Sequence, residues 1–362
     1  MIFQRAAQRE FAQTAAAVFV ALFAIMMTTQ LIRLLGQAAA GATASEAVVA
    51  LLGFSALNYL PVLLSLTLFV SILLSLSRSY RDSEMVIWFS AGVPLTDWVR
   101  PVLRFSAPIV LAIAVLSLFL SPWAISKRSE YQKRMDNRND VARVSPGAFK
   151  ESARGDRVFF VESVAGVADE EDRVGNVFIS SMQNGRQGVI AASQGHTEMA
   201  ENGDKFIVLT NGRRYEAAAG TTAYRVMEFS RYSVRMETAE SLGVVPTTKS
   251  LATWDLLHDT SAANLGELLW RIGVPLSALT LALLAIPLSF VNPRAGRTNN
   301  LLFALLTFMI YSNLLSISQA WVAQGRLPFG VGIWAVHLVM LISLLLLFWK
   351  RLAVFSAWRS RS

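Results

Sequence analysis

AVVALLGFSALNYLPVLLSLTLFVSILLSL, residues 47–76, contains no charged side chain in 30 positions. A helix that crosses a bilayer needs about 20 apolar residues, because the hydrocarbon core is roughly 30 Å thick. Five further segments meet this requirement, so the six candidate spans are Phe11–Leu35, Ala47–Leu76, Trp98–Ser121, Asn264–Val291, Asn300–Val322 and Val331–Leu352. Three lie before and three after a charged, turn-rich stretch at residues 122–263. The sequence therefore predicts an α-helical membrane protein with six transmembrane helices, arranged three plus three around an inserted domain.

The composition agrees with this fold class. Hydrophobic residues make up 54% of the chain and charged residues only 16%, against about 25% charged residues in a typical globular protein. Residues 122–263 hold 18 of the 33 Lys and Arg residues and 19 of the 25 Asp and Glu residues. The basic surplus of the chain therefore belongs to the flanks of the spans. Because it does not form one patch, the basic character predicts no nucleic-acid partner.

The basic residues also predict orientation, because short cytoplasmic loops collect Lys and Arg. The short loops 36–46 and 323–330 carry only Glu46 and Arg326. The N-terminus, the loops between spans two and three and between four and five, and the C-terminus carry Arg5, Arg9, Arg78, Arg81, Arg100, Arg104, Arg294, Arg297, Lys350, Arg351, Arg359 and Arg361. We therefore expect both termini to be cytoplasmic and the inserted domain to lie on the other side of the membrane.

The inserted domain is predicted to be a β domain without disulfides, since the chain has no cysteine. Residues 1–121 form the first membrane part, 122–263 the inserted domain with a helical lead-in, and 264–362 the second membrane part. Short β-type runs separated by turn residues favour a sandwich or jellyroll. Asn211-Gly212, between two such runs, predicts a hairpin turn. Such a domain could be a spacer or could hold a binding groove, and the pattern alone does not choose between them.

The loop between spans two and three contains a short amphipathic segment, predicted as a helix over about residues 79–92. Gly92 and Pro94 end a helix in the usual order. Met85, Trp88 and Phe89 share one helical face, and Arg81 and Glu84 lie one turn apart. The segment could dock into a partner's groove or lie on the lipid surface, and its pattern suits both.

Three stretches of this chain are distinctive: Tyr80–Met85 (YRDSEM) with the following Trp88–Gly92 (WFSAG), the opening Met1–Arg5 (MIFQR), and Thr28–Gly36 (TTQLIRLLG). They resemble the lipopolysaccharide export permease family, and specifically its F-type subunit. The resemblance covers essentially the whole chain, including the three-plus-three arrangement.

The resemblance implies a permease subunit of an ATP-driven exporter in the inner membrane of a Gram-negative bacterium. Its implied partners are a homologous six-helix sister permease of the G type, a dimeric cytoplasmic ATPase, and jellyroll proteins that form a periplasmic bridge. The implied substrate is lipopolysaccharide, which the assembly extracts from the membrane and passes to that bridge. The inserted domain is then a periplasmic β-jellyroll with a hydrophobic groove.

The resemblance also turns the segment at about residues 79–92 into a coupling helix. We expect Glu84 to meet a basic residue of the ATPase, and Met85, Trp88 or Phe89 to fill an apolar pocket there. Arg81 and Asp82 belong to the same coupling segment. A competing function is a membrane anchor that transports nothing and displays a periplasmic β-sandwich binding module.

Arg33 and Gln30, near the outer end of span one, are the predicted substrate-binding residues. An arginine inside a span is costly, and a glycolipid with several phosphates needs a cation at this depth. The alternative is that Arg33 only extends its guanidinium to the lipid phosphates. Near the outer start of span four, Glu267 and Arg271 lie one turn apart and are predicted to pair with each other.

Motifs for catalysis or cofactor binding are missing from the sequence. No Gly-x-x-x-x-Gly-Lys-Ser/Thr loop occurs, so we expect ATP to be used by the partner ATPase, with no cofactor bound by this chain. His196, His258 and His337 are isolated and cysteine is absent, which predicts no metal site. We expect no catalytic residues, and hence a chain that is not an enzyme by itself.

Overall fold

The computed structural model describes residues 2–40, 43, 45–142, 148–151, 157–165, 173–183, 186–199, 205–218, 224–235, 247–290 and 298–359. The chain divides into two compact units. The membrane unit comprises residues 1–132 and 246–362, and the inserted unit comprises residues 133–245.

Helices dominate the membrane unit, and six of those described are long and apolar enough to cross a bilayer. Their positions agree with the six predicted spans. The helices are α1 (Ile2–Ala39), α2 (Val48–Arg81), α3 (Glu84–Ser90), α4 (Val99–Val115), α5 (Ser121–Ala142), α6 (Thr253–His258), α7 (Ala262–Leu288), α8 (Thr298–Ala323) and α9 (Phe329–Arg359). Short 3₁₀ turns cover Ser45–Ala47, Leu95–Trp98 and Thr248–Ser250, and a π turn at Leu116–Leu120 joins α4 to α5.

Helix α7 lies at the centre of the membrane unit and packs against α2, α4, α8 and α9. Glycines allow its neighbours to come close. A Cβ placed on Gly266 would lie 2.7 Å from the Cβ of Ala323, and one on Gly273 would lie 2.7 Å from Cδ1 of Leu315. Small residues at helix contacts are typical of membrane bundles, where close backbone approach replaces the hydrophobic effect as the source of attraction.

Helix α1, by contrast, is attached along one side only. Phe11 is buried in the large apolar cluster that also contains Leu73 of α2 and Leu284 of α7. Farther along α1, Val20 and Ile25 are about two-thirds exposed. Exposed apolar side chains of this kind are suited to lipid or to another membrane helix.

The inserted unit is shorter than the predicted range 122–263, for two physical reasons. Helix α5 begins at Ser121 with no break after the π turn, so its first turns continue the third span. At the other boundary, residues in the stretch 247–261 are bonded to α7 and to the π turn, and this stretch therefore belongs to the membrane unit.

The inserted unit holds one antiparallel sheet whose described strands follow chain order. They are β1 (Ala148–Glu151), β2 (Arg157–Ala165), β3 (Arg173–Gln183), β4 (Arg186–Met199), β5 (Lys205–Ala218) and β6 (Tyr224–Arg235). The prediction of a helical membrane protein with an inserted β domain is thus confirmed. Neighbours in chain order make the described part of the sheet a meander, whereas a jellyroll has two sheets joined by Greek-key connections.

The predicted hairpin at Asn211-Gly212 is wrong, because β5 continues through it. Asn211 has φ 52° and Asn176 of β3 has φ 47°, both in the left-handed region. These two residues, with Ser193 and Ser230, form a row across four strands at which the regular pairing is interrupted while the register on both sides is unchanged. Asparagine tolerates a positive φ at low cost, and here it alters the course of a strand and does not reverse it.

The row formed by Asn176, Ser193, Asn211 and Ser230, here called the polar row, changes which side chains of a strand lie on the same face of the sheet. Phe229 and Tyr232 of β6 lie three residues apart, yet both pack on the same apolar cluster, with ring centroids 5.1 Å apart. A regular strand would place them on opposite faces. The cluster, which is the core of the inserted unit, consists of Val177, Ile179, Ile190, Ala192 and Leu209.

Candidate functional sites

The predicted coupling segment does contain a helix, α3, but its inward and outward faces differ from the expectation. Met85 is only 1% exposed, and Trp88 and Phe89 are half-buried against the same apolar cluster of this chain. Met85 is therefore corrected from a partner contact to an internal anchor. Val86 and Ile87 are the apolar residues that face outward, with exposed fractions of 64% and 66%.

Helix α3 follows α2 after a tight turn. Ser83 has φ 61°, Asp82 donates its backbone N–H to the carbonyl of Arg78 at 2.9 Å, and Ser83 donates its own to the carbonyl of Tyr80 at 3.3 Å. Arg81 and Asp82 are exposed at this turn. The left-handed residue changes the chain direction between the two helices, so that α3 presents Val86 and Ile87 away from the bundle.

Arg78 connects the turn to helix α1. Its Nε lies 3.0 Å from Oε1 of Glu10 and 4.0 Å from Oδ2 of Asp82, while its Nη2 lies 3.9 Å from Oε1 of Glu84. The side chains of Arg78, Asp82 and Glu84 are 43–55% exposed. Because such exposed pairs contribute at most about 1 kcal/mol, Glu84 can exchange Arg78 for another cation at little cost.

The predicted substrate residues lie on the exposed side of α1. Arg33 is exposed and Gln30 is half-buried. Helix α1 ends at Ala39, which places Arg33 about 9 Å before the helix end at a rise of 1.5 Å per residue. Its guanidinium makes no ion pair with another residue that the structure describes, so it is open to an external anion.

The largest polar cluster of the membrane unit surrounds Arg271 of α7, and the predicted pair with Glu267 is confirmed. Nε of Arg271 donates to Oε1 of Glu267 at 3.0 Å, and these side chains are only 2% and 8% exposed. Nε2 of Gln319 on α8 reaches Oε2 of Glu267 at 3.4 Å. The carboxylate of Glu267 thus joins two helices.

Arg271 also holds the chain that returns from the inserted unit. Its Nη2 donates to the carbonyls of Leu251, Lys249 and Thr248, at 2.9, 3.2 and 3.4 Å. Its Nη1 donates to Oγ1 of Thr253 at 2.8 Å. A buried guanidinium that makes five hydrogen bonds, three of them sharing the two N–H groups of Nη2, is a strong structural constraint, since loss of these contacts would leave buried polar groups unpaired.

The hydroxyl of Thr253 connects Arg271 to the third span. It accepts from Arg271 and donates to the carbonyl of Leu118, which lies in the π turn. Ser117, in the same turn, donates its Oγ to the carbonyl of Arg271 at 3.0 Å. A π turn changes the backbone hydrogen-bond pattern locally, and at this point the altered turn faces both Thr253 and α7.

A second buried polar contact, which the sequence analysis missed, joins α8 to α9. The hydroxyl of Tyr311 lies 2.5 Å from Nδ1 of His337, and both residues are buried. Nearby, Ser318 donates to the carbonyl of Gly332 at 2.7 Å. No sequence signal connects residues 26 positions apart on two helices, so only the fold brings them together.

The inserted sheet bears an open cavity of about 1100 Å³. Phe149 and Phe160 stack at its edge with centroids 4.7 Å apart, and the polar row Asn176, Ser193, Asn211 and Ser230 contributes to its lining. Across the sheet, Nε of Arg213 donates to Oε1 of Glu228 at 2.6 Å. This hydrogen bond, with the charge of Glu228, raises the pKa of Arg213.

The residues that the structure describes contain no group of three or more His, Cys, Asp or Glu side chains able to hold a metal ion.

Comparison with known proteins decides the family. The model of the family described as "Lipopolysaccharide export system permease LptF/LptG" matches residues 5–350. The chain belongs to this family. Lipopolysaccharide export system permease protein LptF of Escherichia coli K12 is 26% identical over 359 residues, which cover 98% of this chain and 96% of that protein. LptF of Shigella flexneri shows the same identity and coverage.

Membership in the LptF/LptG family confirms the predicted resemblance and accounts for the architecture of this permease. It is a multi-pass inner-membrane protein of an export system, and the permease role is favoured over that of a simple anchor. As a permease, the chain is a transporter component and not a catalyst itself.

Proposed function

We propose that this permease is the F-type transmembrane subunit of an ATP-driven exporter that extracts lipopolysaccharide from the inner membrane and passes it to a periplasmic bridge. The observation that carries the proposal is the family match over residues 5–350, nearly the whole chain. The matched range includes both sets of three helices and the inserted sheet. The proposed partners are a sister permease of the G type, a cytoplasmic ATPase dimer, and jellyroll proteins of the bridge.

The proposed orientation places both termini and α3 in the cytoplasm and the inserted unit in the periplasm. It rests on the basic residues at the ends of the spans, because short cytoplasmic loops retain Lys and Arg. The loops at residues 36–46 and 323–330 carry only Glu46 and Arg326 and would face the periplasm.

Energy would enter through α3. The proposal is that the ATPase contacts Val86, Ile87 and Glu84, and that Met85, Trp88 and Phe89 tie α3 to the bundle. Val86 and Ile87 support it because they are exposed beside each other on a helix whose other face is fixed. A movement of α3 would then act directly on the apolar cluster of α2 and α7, with no cofactor bound by this chain and ATP used by the partner.

Arg33 and Gln30 would bind the phosphates of lipopolysaccharide. Arg33 supports this role because it is exposed near one end of α1 and makes no ion pair within the described part of the chain. A guanidinium can form two parallel hydrogen bonds to a phosphate. Gln30, one turn earlier, can add a neutral donor for sugar or phosphate oxygen atoms.

The test is an export assay in proteoliposomes. The permease, its sister subunit and the ATPase are reconstituted with lipopolysaccharide, and ATP-dependent transfer to a soluble bridge protein is followed by photo-crosslinking. Arg33→Glu is expected to reduce transfer several-fold. Arg326→Glu is the matched control, because Arg326 is an exposed arginine in the loop before α9.

Transfer by the Arg326→Glu variant should equal that of the unaltered protein. Equal transfer by both variants would remove Arg33 from the substrate path. The absence of ATP-dependent transfer in the unaltered assembly would contradict the exporter role itself and would favour the anchor function.

A further inference from the structure

The short helix α6, with the residues on either side of it, has no role in the proposed export mechanism. Leu256 is fully buried on one side of this helix, while Trp254 and Leu257 are 70% and 52% exposed on another. The exposed pair is not carried on a flexible chain. Thr253 and the carbonyl of Leu251 are held by Arg271, as described above.

The chain after α6 is also fixed. Oδ1 of Asp259 accepts from the backbone N–H of Ser261 at 3.2 Å, and Nδ2 of Asn264 donates to Oδ2 of Asp259 at 3.0 Å. These bonds set the start of α7. Trp254 and Leu257 are therefore held at a constant distance from the first turn of a membrane-spanning helix.

Other exposed tryptophans lie at this end of the bundle, each within a few residues of a contact with α7 or between α8 and α9. Trp321 lies two residues after Gln319, which is hydrogen-bonded to Glu267. Trp123 lies three residues after the end of the π turn. Trp334 lies two residues after Gly332, and the carbonyl of Gly332 accepts a hydrogen bond from Ser318 on α8. Trp123, Trp321 and Trp334 are 49–55% exposed. We call Trp123, Trp254, Trp321 and Trp334 the tryptophan belt.

A belt of exposed tryptophans is typical of the region where hydrocarbon meets water, because indole is apolar but carries one N–H donor. We propose that α6 is an interfacial foot, whose Trp254 and Leu257 insert among the phospholipid headgroups at this end of the bundle. Asp255 is exposed on the same short helix and would face water, while the ring of His258 packs against Trp254 with centroids 5.0 Å apart. The foot sets the depth at which the chain of the inserted unit enters the membrane.

The partner of this surface is thus the lipid bilayer. A protein partner at the same place would be a different occupant, and spin labels distinguish the two. Because the chain has no cysteine, a single introduced cysteine can carry a nitroxide without background labelling.

The experiment uses the full chain, with any subunits that co-purify, in nanodiscs of phosphatidylethanolamine and phosphatidylglycerol. Labels are placed by Trp254→Cys and Leu257→Cys. Asp255→Cys is the matched control on α6, Tyr224→Cys, 72% exposed on β6, reports water, and Val339→Cys, 54% exposed on α9, reports lipid. Collision rates are measured with oxygen, which concentrates in lipid, and with a water-soluble nickel complex.

The oxygen-to-nickel ratio at positions 254 and 257 should exceed that at 255 and 224 several-fold, and should fall below that at 339. Ratios equal to that at 224 would mean that the foot lies in water. Low collision rates with both reagents would mean that protein covers it. Either result overturns the proposal, and Leu257→Cys alone suffices if the tryptophan variant does not accumulate.

This test needs neither substrate nor ATP. If the spin labels showed that α6 does not lie among the headgroups, the export proposal would therefore be unaffected. If the permease did not export lipopolysaccharide, the interfacial position of α6 would likewise be unaffected.

Discussion

Each end of the membrane unit contains an arginine bound to acidic groups, but one arginine is exposed and the other is buried. Arg78, at the end of α2, is about half exposed and has three acidic neighbours at 3.0–4.0 Å. Arg271, in the first part of α7, is 1% exposed and reaches a carboxylate, a hydroxyl and three carbonyls. Ser77 bonds the carbonyl of Ser289, so the two arginines are separated by about 27 Å along α7 at 1.5 Å per residue.

The difference indicates which end is built to change partners. An exposed pair is screened and can be exchanged, whereas a buried guanidinium that makes five hydrogen bonds cannot move without leaving unpaired groups. The Arg78 end therefore suits a regulated contact, and the Arg271 end suits a fixed joint.

Arg271→Met should destabilise the permease most. It leaves Glu267 buried without its cation, and removing one partner of a buried ion pair costs about 3–5 kcal/mol. Arg78→Met is the matched control and should cost at most about 1 kcal/mol. Thermal unfolding of the two variants in the same detergent measures this difference. Equal melting temperatures would mean that the buried cluster is not a fixed joint.

Met85→Ala should lower stability by about 2–5 kcal/mol, because it removes a buried side chain and leaves a cavity. Val86→Ser combined with Ile87→Ser should leave the melting temperature nearly unchanged, since both residues are exposed. The double variant should instead reduce the amount of ATPase that co-purifies. The assignment of the outward face of α3 fails if Met85→Ala alone releases the ATPase while the melting temperature stays constant.

Gly266→Ala should cost about 1–3 kcal/mol, as is usual for overpacking. Its Cβ would lie 2.7 Å from the Cβ of Ala323 and 2.9 Å from the carbonyl oxygen of Gln319. Gly53→Ala, in α2, has nothing within 4 Å of its Cβ and should stabilise the helix by up to about 1 kcal/mol. Melting temperatures that change in the same direction would contradict the close packing of α7 and α8.

Glu84→Ala should have only a small effect on stability, below about 1 kcal/mol, because its contact with Arg78 is exposed and 3.9 Å long. The same variant should weaken ATPase assembly or coupling. Complex yield and export are compared with those of Glu46→Ala, which removes an exposed carboxylate before α2. Normal yield together with normal export in Glu84→Ala would exclude Glu84 from coupling.

The sequence predicted the parts of the fold that depend on length and local spacing. Six spans follow from runs of apolar residues, and the pairing of Glu267 with Arg271 follows from their separation of one helical turn. The other partners of the Arg271 guanidinium lie 18–23 residues away in the connection to the inserted unit. No periodic pattern connects them, so only the folded structure reveals the joint.

The errors have physical causes as well. Helix α3 has only seven residues and carries apolar side chains on both sides, so the sequence could not tell Met85, which is buried, from Val86, which is exposed. Asn211-Gly212 was predicted as a hairpin because asparagine accepts a positive φ in a turn. It accepts the same φ within β5, where the phenyl ring of Phe229 lies against Gly212.

The most direct test of the account is native mass spectrometry of the tagged permease, gently purified from its own membranes, beside the Val86→Ser, Ile87→Ser double variant. We expect the unaltered protein to co-purify with an ATPase dimer, a second six-helix permease and bound lipopolysaccharide. The double variant should keep the second permease and lose the ATPase. Recovery of the unaltered protein alone, or undiminished ATPase with the double variant, would contradict it.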